Sequence, residues 1–377
     1  MESLILIHHL EELYMIKLSS KIKHNFNDHK PFATRVNLNL DNRISSQDSF
    51  LKKNEDKIII ETNRGTAEIL DNTLNIEDRE IILFYPKVET LKRFYRPSAN
   101  SNSLLLTELC DQRCIMCSQP PKNKSYDDFN LYKEAIFLMP DNAHLGITGG
   151  EPTLFKEPLF NFLKEIIEKK NNFTFHILTN AQHFLKEDID NLFLLSKNVT
   201  WGIPLYSHES KAHDDIVSKD GAFQRLFNSF NYLLSSGSQV ELRTVLMRQN
   251  VEHLTSLSNL ISTKLSWIKV WAIMQLENIG YARMNWEKIF FDNSEDFSKI
   301  EKSISILQSN NINLSLYNFP FCTVPKDFRK YAKNSISDWK NKYIDECKNC
   351  TKQEECCGFF EWHKNEIGYK NIGIKFL

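Results

Sequence analysis

A chain of 377 residues has room for about two to three domains and a core that needs no disulfide staples, which excludes a cysteine-stapled mini-protein. Its composition, 41% hydrophobic, 25% charged and 12% aromatic, excludes a disordered or collagen-like chain. With 47 Lys and Arg against 48 Asp and Glu, and with apolar runs such as Ile81 to Tyr85 far shorter than the ~20 residues of a membrane span, neither nucleic acid nor a membrane is expected as a partner.

The N-terminus, with His8, His9, Glu11 and Glu12, lacks the basic start and small-residue cleavage site of a signal peptide, so a cytoplasmic location is expected. Residues 1–96 are rich in Lys, Asn and Ile and predict one hairpin, 57–62 with 66–70, turning at Asn63-Arg64-Gly65. They carry no recognisable chemistry, and their role stays open. From Ser101 short apolar strands alternate with amphipathic helical stretches, the pattern of βα units and a parallel sheet. Strands are predicted at 103–107, 144–148, 174–178, 200–205, 240–246 and 268–274, with helices at 159–169, 223–235 and 251–261. Six βα repeats are too few for a closed eight-stranded barrel and suit an open one whose strand ends converge on a site. After about Phe290 the pattern weakens, and a cysteine-rich tail reads as a small module ordered by metal.

Eight cysteines fall in two groups, Cys110, Cys114 and Cys117, then Cys322, Cys347, Cys350, Cys356 and Cys357. In a reducing compartment such clustering points to metal. The first group lies in Leu104-Leu-Leu-Thr-Glu-Leu-Cys110-Asp-Gln-Arg-Cys114-Ile-Met-Cys117, a strand entering a loop with CxxxCxxC spacing. A structural zinc site wants four closing ligands, whereas three thiolates on a four-iron cubane leave one iron open for a ligand. About 30 residues on, the next strand ends in Ile147-Thr148-Gly149-Gly150-Glu151-Pro152. Two glycines there permit close backbone approach to a ligand, and Glu151 can accept hydrogen bonds from an ammonium group.

The CxxxCxxC loop followed by Gly-Gly-Glu-Pro resembles the radical S-adenosylmethionine (SAM) enzymes, over roughly residues 101–283. The resemblance implies an α/β fold, a partial (β/α)6 radical SAM barrel at 97–290, flanked by an α+β extension at 1–96 and an auxiliary module at 291–377. It makes Cys110, Cys114 and Cys117 the holders of a catalytic [4Fe-4S] cluster whose open iron binds SAM. Reductive cleavage would give a 5'-deoxyadenosyl radical that abstracts hydrogen from the substrate. It also implies SAM contacts at Met116, Gly149, Gly150, Glu151, Thr179 or Asn180, Ser207 and Arg243. A plain Asn turn competes at 179–180, and a solvated outward face competes for Arg243.

The tail, Cys347-Lys-Asn-Cys350-Thr-Lys-Gln-Glu-Glu-Cys356-Cys357-Gly358, resembles the SPASM or twitch modules of peptide-modifying radical SAM enzymes. Cys322, Cys347, Cys350 and Cys356 would close one auxiliary [4Fe-4S] cluster with Cys357 spare; the order of Cys356 and Cys357, and iron–sulfur against zinc, stay open. The runs Cys117-Ser-Gln-Pro-Pro-Lys122, Ile203-Pro-Leu-Tyr-Ser-His-Glu209, His213-Asp-Asp-Ile-Val217 and Gly280-Tyr-Ala-Arg-Met-Asn-Trp286 resemble the radical SAM maturase of the His-Xaa-Ser peptide system. That kinship implies an oxidoreductase that crosslinks or otherwise oxidises a ribosomally made peptide with His-Xaa-Ser repeats. A partner radical SAM maturase and an electron donor such as flavodoxin or ferredoxin would accompany it. The rival readings are a radical SAM enzyme acting on a small molecule and a non-catalytic scaffold subunit of a maturase.

His208-Glu209-Ser-Lys-Ala-His213 has one residue too many for a zinc-protease HExxH, and in the family frame His213 and Asp214 orient the loop after the fourth strand. No GxGxxG or GxxxxGK[ST] occurs. Trp267, Trp271, Met274, Tyr281 and Met284 read as core and barrel mouth.

Overall fold

The computed structural model describes residues 19–39, 45–54, 57–71, 74–124 and 128–372; His8, His9, Glu11 and Glu12 lie outside these. The chain divides into two compact units, one of residues 1–104, 127–146 and 160–174, the other of residues 105–126, 147–159 and 175–377.

The first unit contains a closed ring of seven strands: β1 (Ser19–His24), β2 (Phe32–Asn37), β3 (Asp48–Lys53), β4 (Ile58–Thr62), β5 (Gly65–Ile69), β6 (Ile81–Tyr85) and β7 (Thr90–Tyr95). Their order is β1-β5-β4-β3-β2-β6-β7, with β7 returning to pair with β1. Alternation explains it: Ile58, Ile60, Ala67 and Ile69 are buried where their neighbours are not, so each strand turns one row of side chains into a core with Val36, Phe84 and Leu91. Two carboxylates buried in this unit are paired, Asp48 with Arg35 at 2.8 Å and Glu80 with Arg93 at 2.7 Å. The expected hairpin is β4–β5, which pairs Thr62 with Gly65. The other strands were not anticipated, and among the described residues of 19–96 the helical content is one 3-10 turn, Pro86–Val88.

An eight-stranded sheet runs in the order β15-β14-β13-β12-β11-β10-β9-β8, from β8 (Ser103–Thr107) and β9 (His144–Gly149) through β10 (Thr174–Leu178), β11 (Val199–Pro204), β12 (Gln239–Val245) and β13 (Val270–Met274) to β14 (Leu314–Tyr317) and β15 (Ala332–Lys333). Pairings from β10 to β15 are parallel, as βα connections require. The connecting helices are α1 (Phe129–Leu138), α2 (Lys156–Lys169), α3 (Ile189–Leu195), α4 (Ser210–Val217), α5 (Ala222–Ser235), α6 (Leu254–Lys264), α7 (Gly280–Ile289) and α8 (Ser298–Ser309). The helices form where apolar residues recur at helical spacing, as Leu226, Phe230 and Leu233 do on α5, all buried. One sheet face is a dry layer that includes Ile177, Trp201, Ile203, Leu242 and Trp271, with Trp271 Nε1 donating to Thr244 Oγ1 at 2.9 Å.

The six expected strands are β8 to β13, each within two residues of its predicted ends. The repeat then continues past Phe290 through α8 into β14 and β15, two strands more than expected. The signal was present in Ile300, Ile304 and Leu307, buried at helical spacing on α8. Trp271 is core as expected, but Met284 is 73% exposed on α7. The tail forms a two-stranded antiparallel sheet, β16 (Asn341–Lys342) with β17 (Phe359–Phe360). No helix among the described residues is long and apolar enough to cross a membrane.

Candidate functional site

Cys110, Cys114 and Cys117 lie on the loop after β8, at the carboxyl end of a sheet strand, where open α/β sheets place their ligands. Backbone bonds fix the loop. Arg113 N and Ile115 N donate to the Val217 and Ile216 carbonyls of α4, and the Cys117 carbonyl accepts from Tyr281 N at 2.9 Å. Asn285 Nδ2 donates to the Ile115 carbonyl at 2.8 Å. Met116 is buried in an apolar cluster with Tyr206, Ile216, Met247 and Leu276.

Gly149 and Gly150 end β9 directly beside this loop. Gly150 N donates to the Thr107 carbonyl and Glu151 N to the Leu109 carbonyl, each at 2.7 Å. A Cβ on Gly149 or Gly150 would collide with those same carbonyls, and Gly149 has φ +138°. The close approach these glycines permit is therefore to the cysteine-bearing strand.

Glu151 is fully buried. Its Oε1 accepts from Thr153 N (2.8 Å), Thr153 Oγ1 (2.5 Å) and Thr179 Oγ1 (2.6 Å), and its Oε2 from Asn180 N (2.5 Å). Burial raises its pKa, and these four donors oppose the rise. Asn180 Nδ2 donates to Asp111 Oδ1 at 2.8 Å. Asp111 also meets Lys219 and, at 3.2 Å, His183, and although burial pushes its carboxyl up, these partners hold it well below the usual range. Asp111 thus ties the cysteine loop to the turn after β10 and to Lys219 beyond α4. Sequence reading passed over it, although a carboxylate flanked by cysteines in Cys-Asp-Gln-Arg-Cys was a signal.

Ser207 is buried after β11, its Oγ accepting from Glu209 N at 3.1 Å. Arg243, on β12, meets an anion of the protein itself: Nη1 donates to Glu241 Oε1, and the guanidinium stands 5.9 Å from the Tyr317 ring centroid. Glu241 also accepts from Tyr317 Oη at 3.2 Å and lies 3.5 Å from His176 Nε2. One carboxylate on β12 therefore reaches β10 and β14, two strands away on either side. At ~4.8 Å per strand this requires the sheet to curl toward the face carrying Glu241. Gly202 on the intervening strand makes room, since a Cβ there would lie 3.0 Å from His176 Nε2 and 3.3 Å from Arg243 Cδ. Burial pushes Glu241 up, but His176 and Arg243 outweigh it and bring its pKa to about 2. Neither Glu241 nor Tyr317 was singled out from sequence; a Glu and an Arg two apart on one strand was the available sign.

The three thiols fit a cationic metal group. Burial pushes Cys110 up to about 12, with Glu151, Asp111 and Cys117 adding to the rise, and burial also raises Cys114 and Cys117. Thiolates crowded among carboxylates call for a cation between them.

The second group is supported differently. Cys322 lies in the 3-10 turn Phe321–Thr323, Cys347 in Asp345–Asn349, and Cys350 ends that turn. Burial raises Cys322 to about 12, with the charges of Cys356, Cys347 and Cys350 adding to the rise. Cys356 Sγ accepts from Phe321 N at 3.3 Å and Gly358 N at 3.4 Å. A hydrogen bond from Cys357 and the Arg329 charge join these amides in lowering Cys356 to about 6, against burial. Cys357 is raised by that same bond and by burial, and packs with Ile336 and Phe360. Geometry thus distinguishes the adjacent pair: Cys356 Sγ accepts two backbone amides, whereas Cys357 is packed in the core. Among the described residues no three cysteine sulfurs lie within 4.8 Å of one another.

Residues 104–261 match the Radical SAM superfamily. Over that span the chain is similar to a radical SAM domain. The match takes in the cysteine loop, the Gly-Gly-Glu turn and strands β8 to β12. Among solved structures the chain is similar to Streptococcus suis SuiB bound to precursor peptide SuiA, at 18% identity over 57% of this chain and 48% of that one, TM-score 0.47. It is also similar to anSMEcpe with bound AdoMet (15% identity, 57% and 63% covered, TM-score 0.44). A third likeness is to a radical SAM methyltransferase from Sphaerobacter thermophilus (13% identity, 71% and 75% covered, TM-score 0.42). The chain spans about half the length of the SuiB chain it matches. No curated protein matches it.

Proposed function

We propose that the chain is a radical SAM enzyme that oxidatively modifies a ribosomally made peptide, of the His-Xaa-Ser repeat kind, beside a partner maturase and an electron donor. The observation that carries the enzymatic part is the joining of the Cys110–Cys117 loop to the Gly149-Gly150-Glu151 turn, inside the radical SAM domain. Peptide specificity is supported by the auxiliary-type tail and by the sequence runs at 117–122, 203–209, 213–217 and 280–286.

In this reading Cys110, Cys114 and Cys117 hold a [4Fe-4S] cluster, and Cys322, Cys347, Cys350 and Cys356 hold an auxiliary one. When bound, the first cluster with SAM supplies a carbon-centred radical able to take hydrogen from an unactivated carbon. The protein's own residues position and shelter. Glu151 holds the turn after β10 in place, so that Asn180 faces the cysteine loop. Half-buried Leu178, Val245 and Met274 share the curled face of the sheet and keep water sparse around a reacting substrate. Met116 gives the loop an apolar anchor, and Arg243, balanced by Glu241, offers a guanidinium to an incoming carboxylate.

Anaerobic reconstitution with iron and sulfide, followed by an assay for 5'-deoxyadenosine, tests the enzyme. A well-loaded chain that cleaves no SAM, with or without its partner maturase, overturns the reading. Mass spectrometry of a His-Xaa-Ser repeat peptide after turnover then tests the substrate, where loss of hydrogen mass is expected and an unchanged peptide counts against it.

A further inference from the structure

His213 is not the partner of His208 and Glu209 that the local sequence offers. It is buried in α4, stacked on Tyr206 at 5.7 Å, with Nδ1 accepting from Tyr206 N at 3.3 Å. Burial lowers its pKa to about 4, so it is a neutral core histidine. His208 and Glu209 meet His253 instead. Among the described residues this is the one group in which three His, Cys, Asp or Glu ligand atoms lie within 4.8 Å of one another.

We propose that His208, Glu209 and His253 bind one divalent transition-metal ion of the zinc class, using none of the cysteines. The ligands come from the loops that follow the adjacent strands β11 and β12, at the carboxyl ends of the sheet. Glu209 precedes α4 and His253 precedes α6, and neither side chain is spent on capping its helix. His208 Nε2 lies 3.6 Å from Glu209 Oε1, and the two imidazole centroids are 5.5 Å apart. A second observation is independent of this proximity: His208 Nδ1 is buried and has no hydrogen-bond partner. A buried nitrogen left so is unfavourable, and an ion ligated through Nδ1 would satisfy it.

Two imidazoles and one carboxylate are the donor set of zinc and its neighbours, whereas magnesium and calcium take oxygen. Tetrahedral bonds of about 2.0–2.1 Å bring ligand atoms to roughly 3.4 Å, within reach by rotation of the half-exposed Glu209 side chain. Three protein ligands leave a fourth position open to water or to a donor group of an incoming molecule, as in catalytic rather than structural zinc sites. The amino ends of α4 and α6 oppose a cation, so the charge of Glu209 is what makes the site favourable.

The test uses the iron-reconstituted full chain, titrated anaerobically with Co2+ and read by visible ligand-field absorption. One Co2+ per chain, without the near-ultraviolet sulfur-to-cobalt band of thiolate ligation, is expected. His208→Ala and His253→Ala should weaken binding by about tenfold or more, at unchanged iron content and circular dichroism. Glu209→Gln alters an exposed side chain and keeps the test sound should a histidine variant fold poorly; it too should weaken Co2+ binding, and Zn2+ should raise the thermal midpoint of the wild type but not of this variant. Equal Co2+ affinity in wild type and Glu209→Gln, or cobalt bands of thiolate origin alone, overturns the proposal.

Discussion

The two cysteine groups share a donor and differ in what holds it. Cys110, Cys114 and Cys117 hang from a loop pinned by backbone bonds to the turn after β9, to α4 and to α7, beside Asp111 with its three partners. The tail cysteines sit on 3-10 turns and a two-residue-wide hairpin, where chain folding alone contributes little. In the proposed reading the first group is shaped by the sheet in advance of its metal, whereas the second would depend on the metal it binds for its order. The sulfurs reflect this. The first set is uniformly raised, while the tail contains one thiol, Cys356, lowered by a hydrogen bond from Cys357, by two amides and by Arg329.

Removing the metal ligands gives the largest effect. Cys110→Ala/Cys114→Ala/Cys117→Ala should abolish SAM cleavage and lower iron from about eight to about four per chain, with the sheet's circular dichroism intact. A triple variant that unfolds would break the contrast. Chelation of reconstituted protein comes next: hydrogen exchange should rise strongly over residues 341–360 and little over 103–117. Within the tail, Cys356→Ala should lose the auxiliary iron, whereas Cys357→Ala should keep it and lose about 1–2 kcal/mol of stability from its packed position. Loss of iron from Cys357→Ala alone would reverse the assignment.

The smallest effect concerns the sheet that carries the first group. Glu241 has a folded pKa of about 2 against an ordinary 4.5, so its contribution is fully present above pH 4.5 and is lost as pH falls toward 2. Denaturant midpoints should drop over that window in the wild type and drop less in Glu241→Gln, which is already weaker at neutral pH. Parallel pH curves would remove the ion cluster from the account.

The sheet was largely legible because each of its strands is a short apolar run flanked by helical spacing, and β8 and β10 fall on their predicted ends. The cysteine sets and the Gly-Gly-Glu turn were legible because their spacing is local. The seven-stranded ring was not: its strands are separated by polar loops with no helical spacing between them, so only the hairpin with its tight turn stands out. Nor were contacts between distant segments, Asp111 with Lys219 or Glu241 with Tyr317, since charge pairing across strands leaves no mark in either strand alone. His208 shows the same limit. Its neighbour in sequence, His213, was the wrong partner, and its neighbour in space, His253, lies on the following loop.

The closed ring also sets how residues 19–96 can read another polypeptide. Every strand in it already has a neighbour on both sides, so no strand of the ring is an edge strand along its whole length. The closed ring thus leaves little main chain for an extended peptide to join as an added strand, the mode that is tolerant of sequence because it uses main chain. Recognition by this region would rest on side chains, and would be correspondingly selective about which residues the guest presents.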